Sequence, residues 1–369
     1  MIPVNTPSLN GNEKKYLIEC IESGWISSEG PFVARFEDEF SSYIGKKYGI
    51  AVANGSAALD VAVKSLNLEK GSEVIAPTFT IISPIQSLIK QGLVPVLVDS
   101  DITTLNINVN DLEAKITSKT KAILIVHIYG LPVDFDPIIN LAKKYGLKII
   151  EDAAEMHGQE YNGQKCGSFG DVSVFSFYPN KHITTGEGGM VMTDDEAIAI
   201  RCRNLRNLCF IPERRFVHEE LGWNYRMTNM QAALGLAQLE HIQTIVNRKR
   251  EIGRRYNDNL RGIEYLQLPC ERTSYAENIY WVYAIIADSQ DLAERIQKHL
   301  AIKKIGTRPF FWCMHEQPVF NRMNLFLGES HPVAEKMSRN GFYIPSGLGI
   351  SNDQIDQVSK ELLTFMEYE

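Results

Sequence analysis

The sequence of 369 residues has little of what marks several protein classes. Its six cysteines (Cys20, Cys166, Cys202, Cys209, Cys270 and Cys313) form no CxxC pair and no close Cys/His spacing. That argues against structural zinc and against a disulfide framework, and no metal is expected. Scattered thiols in an acidic chain suit a reducing compartment, so the expected location is the cytoplasm. No run of about 18 apolar residues occurs, which excludes a helical membrane span. The opening residues, MIPVNTPSLNGNEKK, lack the basic-then-apolar order of a secretory signal. Positive charge is in deficit, with 38 Lys and Arg against 45 Asp and Glu, a formal charge of -7. Phosphate backbones select basic surfaces, so nucleic acid is not the expected partner. Low-complexity tracts and internal repeats are also missing. With 44% hydrophobic and 22% charged residues, the chain is too apolar for disorder and long enough for one large core and a smaller one.

What is present is an alternation. Short Val- and Ile-rich runs, YGIAVAN (48–54), EVIAP (73–77), VPVLVD (94–99), KAILIVHIYG (121–130), LKIIEDAA (147–154), DVSVFSF (171–177) and GGMVMTD (188–194), are separated by amphipathic stretches such as SAALDVAVKSL (56–66) and DPIINLAKKYG (136–146). Continuous apolar runs are the pattern of strands buried on both faces, and their alternation with helices predicts an α/β fold around a mainly parallel sheet. A single long helix is expected over 227–258, with Arg248, Lys249, Arg250, Arg254 and Arg255 on a solvated face. The remainder reads as a smaller α+β unit: a strand over 279–287, a helix over 292–300, a turn at Gly306 and a closing helix near 353–366. The boundary is placed at 245, dividing 1–245 from 246–369.

Three segments carry chemistry. In FSFYPNKHITTGEGGMV (175–191), Lys181 follows a predicted strand and precedes a glycine-rich turn of little helical propensity. Partial burial there would lower its ammonium pKa, as a lysine that bonds covalently to a carbonyl requires; a plain surface lysine is the alternative. Asp152 ends a buried strand, at the sheet edge where open α/β folds bind ligands, and needs a cationic partner. A protonated pyridinium would be one, and a turn cap or a metal ligand are the alternatives. In VANGSAALDVAV (52–63), Gly55 lets the backbone approach an anion, and Ser56 with the first free helical amides points at it, although Ser is common at any helix N-cap. Ser176 could add a hydroxyl to the same phosphate, and Phe79 could stack on a ring; each is otherwise core packing.

Taken in order, a glycine phosphate turn, an aromatic, a strand-end aspartate and a lysine resemble a fold-type-I pyridoxal phosphate (PLP) enzyme. Over essentially its full length the chain resembles the sugar aminotransferases of the DegT/DnrJ/EryC1/StrS family, through GWISSEGPFVARFE (24–37), NGSAAL (54–59), APTFT (76–80), EDAAEMHG (151–158), GDVSVFSFYPNKHITTGEGGMV (170–191) and GWNYRMTNMQAALGLAQLE (222–240). The resemblance implies a large PLP domain with a seven-stranded sheet and a small C-terminal domain. It implies that Lys181 anchors PLP as a Schiff base, that Asp152 pairs with the pyridinium nitrogen and that Phe79 stacks on the ring. It assigns the phosphate to Gly55, Ser56 and Ser176, with Asn224 reaching it from the neighbouring subunit of a homodimer. Glu155 stands where many members carry glutamine, a departure that leaves its role open. Related dehydratases carry histidine in place of the anchoring lysine; here Lys181 is present and His182 follows it, which implies amino transfer from L-glutamate. Segment GTRPFFWCMHEQP (306–318) resembles members acting on GDP-4-keto-6-deoxymannose, with Trp25, Arg308 and His315 as substrate contacts; for Arg308 a structural ion pair is the alternative. A UDP- or dTDP-linked 4-keto or 3-keto sugar, a dehydratase and a non-catalytic regulator stay open as rival readings.

Overall fold

A computed structural model describes residues 1–211 and 214–367. Its main sheet is seven-stranded: β1 (Tyr48–Val52), β2 (Glu73–Pro77), β3 (Val94–Val98), β4 (Thr120–Val126), β5 (Lys148–Asp152), β8 (Val172–Ser176) and β9 (Gly189–Thr193), in the order β1-β9-β8-β5-β4-β2-β3. Every pairing from β3 to β8 is parallel. Strand β9 runs antiparallel to both β8 and β1, so it alone is reversed. A two-stranded ribbon, β6 (Glu160–Tyr161) with β7 (Gln164–Lys165), lies between β5 and β8 in sequence. The expected strands thus form, β2 over its full expected run and the others trimmed by up to four residues where the chain bends away from the ladder.

Both faces of the sheet are covered. Helices α1 (Glu13–Ser23), α2 (Pro31–Ile44), α5 (Phe135–Tyr145) and α7 (Asn229–Leu239) enclose one core, which includes Phe36, Phe40, Phe175 and Phe177. The other face packs against α3 (Gly55–Ser65), α4 (Ile82–Lys90) and α6 (Glu196–Arg206). Alternation along β8 sends Phe175 and Phe177 towards Phe40, at ring separations of 4.9 and 5.3 Å, and so turns Ser176 the other way.

The single helix expected over 227–258 is two. Thr228 and Gln231 close a capping box at the start of α7, and the chain turns at Glu240–His241 before α8 (Ile242–Leu260). Glu240 is held there by the Tyr16 hydroxyl (2.5 Å) and Asn12 Nδ2 (2.7 Å), both at α1. The expected division at 245 falls inside α8: Ile245 and Val246 pack in the first core, whereas Ile252, Tyr256 and Leu260 pack in a third. That third core lies under a sheet ordered β10-β11-β13-β12, formed by β10 (Leu266–Gln267), β11 (Tyr283–Ala287), β12 (Arg308–Pro309) and β13 (Gly341–Ile344). Around it run α9 (Gln290–Ile302), the short α10 (Pro318–Arg322), α11 (Pro332–Asn340) and α12 (Asn352–Met366). Residues 2–6 join this unit, with Ile2 in its core and Val4 O accepting from Ser346 N at 3.1 Å.

The basic face expected on α8 is only partly solvated. Lys249 is buried, and its ammonium donates to Trp281 O (2.9 Å) and Ser346 O (2.6 Å). Arg255 forms a two-pronged pair with Asp356 of α12, and Arg248 donates to Ile350 O. The helix faces the C-terminal elements on the side that sequence alone assigned to water. All six cysteines are free, and all but the half-buried Cys270 are buried. Among the described residues no helix is long and apolar enough to cross a membrane.

Phe40 is fully buried between Phe36, Phe175 and Phe177. Phe40→Ala is expected to lower unfolding stability by about 3–5 kcal/mol, measured by denaturant titration, because neighbouring rings cannot collapse into the void.

Candidate active site

Strands β1, β2, β4, β5 and β8 all end at one edge of the sheet, and reversed β9 begins there. Parallel strands feeding buried helices leave their carboxyl ends as the polar rim of an otherwise apolar layer. A cleft of about 570 Å³ opens at that rim, lined by Asn54 and Gly55 after β1, Thr80 and Ile81 after β2, and Asp152, Glu155, Ser176 and Lys181. Trp281, Phe311 and Tyr343 close it from the C-terminal unit.

At the β1 end, Asn54 is fully extended and caps α3 with its side chain on Ala57 N (2.8 Å). Its carbonyl takes Ala58 N, and among the described residues no acceptor takes the amides of Gly55 or Ser56. A Cβ at position 55 would sit 2.7 Å from Ser176 Cβ, so glycine keeps this niche open beside the Ser176 hydroxyl. Two free amides, a helix N-terminus and adjacent hydroxyls make a fitting cradle for a phosphate. The Ser56 hydroxyl meets Ser83 Oγ at 2.7 Å on its rim.

Strand β5 sends two adjacent carboxylates to opposite faces. Glu151 accepts from the amides of Gly167, Phe169 and Gly170 and from Ser173 Oγ, and lies 3.3 Å from His127. Burial alone would raise its pKa; His127 and those amides outweigh it and hold the carboxyl below its usual range. Asp152 on the cleft side has one hydrogen bond among the described residues, from Ala154 N at 3.1 Å, and burial raises its pKa against the pull of Lys181. Glu151 is satisfied by the protein, whereas Asp152 still has capacity for a cationic N–H donor such as a protonated ring nitrogen.

Lys181 closes a turn, its amide donating to Tyr178 O at 2.9 Å. Its Nζ lies 3.7 Å from Glu155 Oε1 and 3.7 Å from the centre of the Trp281 ring. Burial lowers its pKa, while Glu155 and Asp152 oppose the change. Glu155 is pushed up to about 8 by burial, and its Oε2 accepts from Tyr129 N at 2.7 Å. A lysine with a weakened proton, a cradle for a phosphate and a buried aspartate beside one cleft fit the PLP molecule group by group. When bound, PLP supplies an electron sink for the charge left on an amine-bearing carbon.

The other candidates are not gathered here. Phe79 is fully buried and meets Tyr129, Phe310 and Phe311 at ring separations of 5.9–6.0 Å, so it packs the core and does not line the cleft. The chain turns after it, and Ile81, 49% exposed, faces the cavity instead. His315 is buried with both ring nitrogens used, Nδ1 at 2.8 Å from Thr78 Oγ1 and Nε2 at 3.2 Å from Glu335, so it braces the strand end. Its neighbours Glu316 and Glu335 both pair with Arg339, which a metal ion at this cluster would have to displace. Trp25 is half exposed away from the cleft, with its carbonyl on Asn229 Nδ2. Asn224 is exposed and accepts from Arg226, while adjacent Tyr225 O receives Ala53 N at the cradle's edge. Arg308 is exposed opposite Tyr343 in the small sheet, and among the described residues no carboxylate lies within ion-pair distance of it.

Missed from sequence were Ile81 and the aromatic wall of Trp281, Phe311 and Tyr343. Trp281 was placed inside a strand, but β11 begins only at Tyr283. One signal is visible only in the backbone: Tyr129 and Tyr280 hold φ of 56° and 49°, strained values that cluster at functional sites.

Fold and site together define a PLP-dependent aminotransferase of fold type I. The profile of the DegT/DnrJ/EryC1/StrS aminotransferase family matches residues 7–363, and the chain belongs to that family. It is 40% identical to GDP-perosamine synthase of Escherichia coli O157:H7, over 99% of this chain and 98% of that one. It is 39% identical to the Vibrio cholerae enzyme of the same name, over 97% of each. Among solved structures, S. venezuelae DesV in complex with ketimine intermediate superimposes with a TM-score of 0.89 at 30% identity, covering 96% of this chain and 94% of that one. Helicobacter pylori PseC shares the fold at a TM-score of 0.94 over all of both chains, at 22% identity.

His157 lies behind Ser176 and Lys181 among Phe40, Phe175 and Phe177, and its ring nitrogens have no hydrogen-bond partner among the described residues. Burial drives its pKa from 6.5 to about 3. Between those values the unfolded chain binds the extra proton, so stability falls as pH drops through this window. From pH 7 to pH 5 the loss from this ring is about 2 kcal/mol. His157→Phe should flatten the acid limb of stability against pH by about that amount, measured by denaturant unfolding at each pH.

Proposed function

We propose that the protein transfers the amino group of L-glutamate to C4 of GDP-4-keto-6-deoxymannose, giving GDP-perosamine and 2-oxoglutarate. The observation that carries this reading is the near-full-length identity of 39–40% to relatives named GDP-perosamine synthase in three bacteria. In this reading Lys181 anchors PLP and, once freed, moves the proton between the amine-bearing carbon and the cofactor. Asp152 keeps the ring nitrogen protonated, and Gly55, Ser56 and Ser176 hold the phosphate. Ile81 takes the apolar place beside the ring that Phe79 does not reach. The chain acts as a cytoplasmic homodimer in which Asn224 of each copy serves the other's phosphate, and its product feeds a surface polysaccharide such as lipopolysaccharide O-antigen. Arg308, with no carboxylate beside it among the described residues, is the side chain we assign to the substrate diphosphate.

The decisive measurement mixes purified PLP-loaded protein with L-glutamate and each of GDP-, UDP- and dTDP-linked keto sugars, followed by mass identification and NMR of the product. GDP-perosamine from the GDP sugar, at a rate well above the others, is expected; preference for a UDP or dTDP sugar would overturn the substrate assignment. Lys181→Ala is expected to abolish turnover and the visible absorbance of the covalently held cofactor. Turnover retained in that variant would remove Lys181 from the chemistry.

A further inference from the structure

Building on the aminotransferase reading, we infer that Trp281 and Glu155 form a resting place for the Lys181 amine during the part of each cycle when it is free. An anchoring lysine must leave the cofactor, wait nearby and return. The structure shows the amine in such a position. Its Nζ stands over the Trp281 ring at 3.7 Å from the centroid, and 3.7 Å from Glu155 Oε1. Neither contact is a close hydrogen bond. The ammonium is held by a ring quadrupole and a nearby carboxyl, which leaves it free to swing away.

Both walls of this place are fixed from outside. The Trp281 indole N–H donates to Asn180 O at 2.8 Å, tying the ring to the residue before Lys181. The Trp281 carbonyl receives the buried Lys249 ammonium, which also grips Ser346 O. On the other side, the Tyr129 amide, at strained φ of 56°, holds Glu155 Oε2. Trp281 is therefore a positioning residue supplied by the C-terminal unit to a lysine of the large sheet. Asp152 and Glu155 stand on the acidic side of the amine, His157 and His182 lie beyond it, and Tyr178, Glu187 and Tyr343 line the same cleft. Burial drives both histidines down, so neither competes as a cation. Glu155, raised to about 8, is largely uncharged at neutral pH, which leaves the indole as the main attraction there.

The test uses cofactor-free protein, so that it reads the amine itself. Lys181 acylation by acetic anhydride is followed by peptide mass spectrometry across roughly pH 6–10, and the midpoint of the profile reports the amine's proton affinity. Altered reagent access would change the height of the profile and leave its midpoint in place. Trp281→Leu is expected to lower the midpoint by about one pH unit, so that acylation below it rises about tenfold, and Trp281→Phe by less, since a phenyl ring attracts cations more weakly than indole. Glu155→Gln should track the unchanged protein below about pH 8 and depart above it, where the carboxyl ionises. Unchanged midpoints in both Trp281 variants would overturn the inference. Circular dichroism checks folding; if Trp281→Leu does not fold, Trp281→Phe and Glu155→Gln decide, and the wild-type midpoint in both overturns it. PLP uptake by the unchanged protein is measured alongside. Absence of uptake would sink the functional proposal, while the acylation profile would still decide on the resting place.

Discussion

Burying an amine beside two carboxylates costs free energy unless each finds a partner, and Lys181, Asp152 and Glu155 share one cleft with few direct hydrogen bonds among them. That imbalance is the constraint around which the structure is arranged. Burial weakens the proton on Lys181 and strengthens those on Asp152 and Glu155, so the groups sit closer to a common proton affinity than they would in water. A site so disposed leaves unsatisfied the places where a cationic ring and a dianionic phosphate would bind.

The sheet makes the imbalance affordable. Its parallel strands are mostly apolar on both faces, so the polar groups of the cleft gather at the carboxyl edge, and the single reversed strand β9 brings the glycine-rich loop back to that edge. Glu151 shows the alternative fate of a buried carboxylate one residue away: three amides, a hydroxyl and His127 satisfy it, and it binds the 165–170 turn to the sheet. The difference between a structural and a receptive carboxylate is which face of β5 it occupies.

The C-terminal unit contributes the cover. Trp281, Phe311 and Tyr343 reach the cleft from segments a hundred or more residues away from Lys181 and Asp152 in sequence, and Lys249 fixes the Trp281 backbone at the cost of burying a cation. His315 acts from the same side by bracing Thr78, just after β2, where the chain turns so that Ile81 rather than Phe79 faces the cavity.

The sequence by itself determined the seven strands, the placement of Asp152 and Ser176 at strand ends, the glycine niche before α3 and the lysine that follows β8, because these are local: a run of apolar residues, a turn residue, a chemical group at a fixed distance from a strand end. Its family-specific blocks further carried the cofactor and the class of reaction. Only the tertiary structure decided what lies between elements distant in the chain. It turned Phe79 inward, engaged both nitrogens of His315, split the long helix where α1 grips Glu240, buried Lys249 against the C-terminal strands and laid Trp281 beneath the Lys181 amine. Periodicity gives the side of an element that is apolar, but not the partner that will cover it; that depends on how separate segments pack, and it is there that the site acquired its walls.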